Sequence, residues 1–107
     1  MKINNNLLNL QMILHSVLLT FIPSISDSAK QSFFDAAALL SGIPGVEKFE
    51  LLKQVSPKNS FEYGISMEFA NDTLYSGYNS HPQHQQFLQQ YWKVYVQDFM
   101  EVDYTKL

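Results

Sequence analysis

Two of the chain's three histidines and a tyrosine gather in Tyr78-Asn79-Ser80-His81-Pro82-Gln83-His84-Gln85-Gln86-Phe87. Pro82 suits the first turn of a helix, where its missing N–H is no loss and its fixed φ fits the geometry. From that start His84, Leu88, Tyr91 and Tyr95 recur at helical spacing, which turns His84 toward an apolar face and leaves the glutamines outside. An imidazole kept neutral by burial can take a proton from a carbon acid, so His84 is a candidate general base. Tyr78 stands near it in sequence. A structural reading competes: His84 satisfied by a backbone carbonyl, His81 beside a helix cap, and His15 hydrogen-bonded inside a sheet. Metal chemistry is the third reading, because His81 and His84 at i, i+3 could share an ion. A tight site needs a third ligand, and Gln85 and Leu88 stand where one would be sought, so no metal is expected.

Other chemistries lack their residues. The chain has no cysteine, which removes thiolate nucleophiles, thiolate zinc sites and disulfides. It has no glycine-rich phosphate loop, no Gly-x-Ser-x-Gly elbow and no paired carboxylates on a helix, and nothing in it calls for a cofactor. A net charge of −3 with scattered Lys and Arg offers no basic stripe, so nucleic acid is not an expected partner. With 46% apolar and 16% charged residues over 107 positions, the sequence predicts one ordered domain with a small core. The run from Leu7 to Ile22 is broken by Asn9, Gln11, His15 and Ser16, and reads as a strand rather than a secretory signal or a membrane span. A cytoplasmic protein is expected.

These residues need elements to hold them. Met12 to Phe21 is apolar on both faces, as a central covered strand would be. Pro23 stops it, and Ser24, Ser26 or Asp27 can cap a helix carrying Phe33, Phe34, Ala37 and Leu40 to Ser41. After Gly42 and the Pro44-Gly45 turn, Val46 to Val55 reads as a strand. Phe61, Tyr63, Ile65, Met67 and Phe69 then alternate with polar or small residues, so one face of that strand is buried. Asn71-Asp72 caps a short helix through Tyr78, the histidine helix runs from about Pro82 to Val96, and Phe99 to Tyr104 closes as a strand. The order strand, helix, strand, strand, helix, strand is an α+β, ferredoxin-like βαββαβ plan with a four-stranded antiparallel sheet and helices on one face. The other sheet face is left without cover. An apolar patch of that size predicts a second copy as its lid.

The histidine segment, together with Gly42-Ile43-Pro44-Gly45-Val46 and His15-Ser16-Val17-Leu18-Leu19-Thr20-Phe21, resembles the stress-responsive A/B barrel (Dabb) family. The resemblance makes residues 1–11 an N-terminal extension and residues 12–107 the domain, and implies a homodimer whose sheets face each other as a dimeric α+β barrel. Members of that family include plant polyketide cyclases of the olivetolic acid cyclase type, and the likeness implies a lyase role with His84 as base and Tyr78 as hydrogen-bond donor. By the same likeness His15, Tyr63 and His81 are the expected binding residues; Tyr63 stands where those cyclases carry a further histidine. The expectation is a homodimer binding a small, largely apolar molecule between sheet and helices. Polyketide-cyclase-like catalysis and a non-catalytic stress oligomer with a filled interior are the alternatives.

Overall fold

The computed structural model describes residues 11–107. The expected extension, residues 1–11, therefore lies outside the described residues apart from Gln11. Strand β1 (Ile13–Phe21) is the hub of a four-stranded antiparallel sheet in the order β2-β3-β1-β4. It pairs with β3 (Tyr63–Phe69) on one side and β4 (Val96–Tyr104) on the other, as its two-sided apolarity predicts. Strand β2 (Glu47–Lys53) forms the far edge. It is shorter than Val46 to Val55, and an irregularity between Glu47 and Glu50, with Lys48 at φ 50°, shifts its register against β3.

The three longest α-helices each start on a side chain that satisfies a free backbone N–H. Ser26 caps α1 (Asp27–Ala38) by accepting from Ala29 N at 3.1 Å, and Asn71 caps α2 (Asp72–Ser80) by accepting from Leu74 N at 2.9 Å. A 3₁₀ turn, Leu39–Gly42, follows α1 and delivers the chain to Gly45. Gly45 has φ +93°, and a Cβ there would stand 3.0 Å from the Leu74 Cβ, so the turn needs glycine on two counts. His81 caps α3 (Pro82–Phe87), with Pro82 opening the helix. The histidine helix is not uniform: α3 passes into a π-helical turn, Leu88–Trp92, and closes in one α turn, α4 (Lys93–Tyr95). Val96 is already extended and opposite Phe21, so β4 begins earlier than the Phe99 expected from sequence.

Helices and sheet bury Phe33 and Ala37 from α1 against Leu19, Phe21, Ile65, Met67 and Phe69. The alternating strand thus turns its apolar side to the helices. The opposite face carries the remaining apolar residues of β1. Across it runs one row, Leu52, Gly64, Leu18 and Met100, each opposite the next in register, flanked by Leu14 beside Tyr104. Leu52, Met100 and Tyr104 are 43%, 45% and 59% exposed. Among the described residues no helix is long and apolar enough to cross a membrane.

Candidate functional site

Strand period places His15, Val17 and Leu19 on the helix side of β1. Register then sets Asp103 of β4 opposite His15, and Glu101 opposite Val17, on that same side. From above, α2 brings down Tyr75 and Tyr78, which share a face at i, i+3. The α2–α3 junction adds His84. Sheet and helices do not close completely over β4, and the gap is a cavity of about 440 Å³. Its wall is mostly apolar, with Val17, Leu40, Ile65, Met67, Phe87 and Trp92 among its lining, and His15, Tyr78, His84 and Glu101 supply polar groups.

His15 is 4% exposed, and its Nδ1 lies 2.6 Å from Asp103 Oδ1. A carboxylate only accepts, so Nδ1 carries the proton and, in the neutral ring, Nε2 carries the lone pair. Tyr75 joins both groups: its hydroxyl donates to Asp103 Oδ2 at 2.8 Å and its oxygen lies 2.9 Å from His15 Nδ1. Burial first, then the Asp103 hydrogen bond, push the Tyr75 phenol well above its ordinary pKa, so it remains a donor.

His84 donates its Nδ1 proton to the backbone carbonyl of Asn79 at 3.2 Å, which again leaves Nε2 as the acceptor. Burial is the main cause holding its pKa below the ordinary histidine value, favouring the neutral ring. Its ring stacks on Tyr78, with centroids 4.3 Å apart and planes inclined by 27°. Tyr78 is buried, and burial, with Glu101 adding to it, raises its phenol so far that it stays protonated across the physiological range. Among the described residues its hydroxyl, His15 Nε2 and His84 Nε2 have no protein partner, yet no buried side-chain nitrogen or oxygen is unsatisfied. All three residues line the cavity, so these atoms open onto it.

Two expected site residues stand elsewhere. Tyr63 faces the core instead, its ring 5.0 Å from Phe34 and 5.5 Å from Phe21, because the alternation that buries β3 carries it toward α1. His81 uses its Nδ1 to accept from Gln83 N at 3.1 Å, and this helix-capping role turns it out of the cavity. Sequence reasoning missed Asp103, Tyr75 and Glu101. Tyr75 could have been found from its i, i+3 spacing to Tyr78, whereas Asp103 needs the β1–β4 register. Gln89 also lines the cavity although the glutamines were expected outside; the π turn adds a residue to one turn and rotates the helix face. Among the described residues no group of three or more histidines and carboxylates is placed to hold a metal ion.

Residues 13–106 match the model of the stress-responsive A/B barrel domain. Among solved structures the chain is similar to a Dabb family protein with a ferredoxin-like fold from Mesorhizobium loti, at 41% identity over 91% of this chain and 98% of that one, with a TM-score of 0.85. It is similar in fold to a hydroxynitrile lyase from Passiflora edulis, at 12% identity over 92% of this chain and 95% of the lyase, TM-score 0.82. A third likeness is to a dimeric protein of unknown function from Bacteroides fragilis, at 21% identity over 89% of this chain and 96% of that one, TM-score 0.69. Among curated proteins no sequence matches the chain.

Proposed function

Since the chain belongs to the stress-responsive A/B barrel domain family, we propose that it works as a homodimer in which each protomer binds a small, largely apolar molecule between sheet and helices. The observation that carries this reading is the cavity: about 440 Å³, within the range of small-molecule sites, with an apolar wall and a few convergent polar atoms. A ligand carbonyl or hydroxyl would meet the Tyr78 hydroxyl, and its body the aliphatic and aromatic wall. The dimer is supported by the Leu52–Gly64–Leu18–Met100 row on the sheet face away from the helices, whose ends Leu52 and Met100 are exposed, and by the dimeric description of the Bacteroides fragilis neighbour. An unfilled cavity counts against an oligomer of purely structural purpose.

Trp92 is the chain's one tryptophan and lines the cavity, so its fluorescence reports occupancy. Titration with small aryl ketones is expected to give a saturable change that is lost in Val17→Phe, which fills the cavity from β1. No saturable change up to millimolar ketone would remove this reading.

Acid–base catalysis is the second reading, favoured by two imidazoles that each present an Nε2 lone pair to the cavity beside a protonated phenol. The polyketide-cyclase-like version places His84 as general base and Tyr78 as donor to the substrate oxygen. His84→Gln assayed on thioester-linked polyketide mimics tests it, with loss of turnover expected and retained turnover counting against it.

A further inference from the structure

The two histidines facing the cavity differ in what stands behind them. His84 leans on a neutral dipole, the Asn79 carbonyl, at 3.2 Å. His15 leans on a carboxylate at 2.6 Å, and the other oxygen of that carboxylate is fixed by the Tyr75 hydroxyl. Three elements, β1, β4 and α2, contribute one group each to this closed ring of contacts, and the histidine in it is 4% exposed. A carboxylate so placed fixes the tautomer and orientation of the ring and faces the positive charge that appears when the far nitrogen takes a proton. A backbone carbonyl fixes orientation but carries no countercharge.

We propose that His15 is the proton acceptor of the cavity, with Asp103 and Tyr75 as its positioning residues. The proposal rests on the acid–base reading and changes its base. The C–H bond beside a ligand carbonyl breaks and its proton passes to His15 Nε2. The electron pair left on carbon forms the C=C bond of the enolate, and the carbonyl π pair moves to oxygen, where the Tyr78 hydroxyl donates to it. The reverse step returns the proton to carbon, so no oxidant or reductant takes part. His84, kept neutral by its burial, then serves as a wall group stacked on Tyr78.

Two measurements test this. The first is long-range ¹H–¹⁵N NMR of the ¹⁵N-labelled full chain, which reads the tautomer of each histidine without any substrate. His15 is expected in the Nδ1–H form, and Asp103→Asn and Tyr75→Phe are each expected to shift it measurably toward Nε2–H while the backbone spectrum stays that of the folded protein. A wild-type His15 in the Nε2–H form, or one indifferent to both substitutions, would overturn the positioning roles. The second is deuterium exchange beside the carbonyl of 1-phenylpropan-2-one in D₂O. A general base contributes roughly 100-fold or more, so His15→Gln is expected to lose that much, a larger loss than that of His84→Gln. Asp103→Asn is expected to lower kcat with KM little changed. The opposite ranking of the two histidines, or exchange at the buffer rate by a wild-type protein that binds the ketone, overturns the acceptor role. A ketone that fails to bind at all instead sinks the small-molecule reading beneath it, and the tautomer measurement still decides the roles of Asp103 and Tyr75.

Discussion

The ring of His84 lies on the ring of Tyr78, 4.3 Å between centroids, while the Tyr78 hydroxyl has no protein partner among the described residues. Ring and hydroxyl of one residue therefore do separate work: the ring joins Phe69 and His84 in the packing, and the hydroxyl faces the cavity. Tyr78→Phe should leave stability within about 0.5 kcal/mol of wild type, since no internal hydrogen bond is lost. Tyr78→Ala should cost roughly 3 to 5 kcal/mol through lost burial and a residual void. Urea denaturation of the two variants checks the difference, and equal losses would place the hydroxyl in the fold rather than in the site.

Burial ranks two other truncations. Phe69 is fully buried, and Phe69→Ala is expected to cost roughly 3 to 5 kcal/mol. Leu88 is half-buried in the cavity wall, where truncation enlarges an existing space rather than opening a new one. Leu88→Ala should therefore cost less than about 2 kcal/mol. The same denaturation measurement compares them.

His84 makes stability depend on pH with a definite sign. Its folded pKa lies below the ordinary value of 6.5, so the folded state holds fewer protons on this group than the unfolded chain. Its stabilising contribution is present above pH 6.5 and is lost as pH falls through the depressed folded value. Thermal melts from pH 8 down to 5 should show wild type losing stability toward acid, and His84→Gln should flatten that fall. A variant with an unchanged slope would assign the acid sensitivity to other groups.

The open sheet face gives a mass prediction. Wild type should scatter light as about twice the 12.3 kDa chain at micromolar concentration. Leu18 stands mid-row between Gly64 and Met100, so Leu18→Glu places a charge at the centre of the proposed contact. The variant should run as a monomer with native circular dichroism. A dimer of unchanged affinity would move the interface to another surface.

Much of the fold is written locally. Ser26 and Asn71 cap their helices where the sequence offers such side chains, and the Ile65, Met67, Phe69 alternation lies on the core side of its strand. Tyr78 and His84 come together because they sit on consecutive helices joined at His81, so sequence proximity is nearly spatial proximity. Tyr63 was misplaced because a strand pattern says that one face is buried without saying whether core or cavity lies beneath each position.

The sequence by itself determined the element order, the central place of β1, the capped helix starts and the histidine and tyrosine at the α2–α3 junction, because periodicity, capping and proline geometry act over a few neighbouring residues. Only tertiary structure decided which sheet face the helices cover, where a π turn would rotate the histidine helix, and that Asp103 meets His15 across 88 positions of chain. A strand pairing one residue out of register would carry Asp103 to the opposite face, away from the cavity. That pairing is fixed by the packing of the whole sheet, which no single segment encodes.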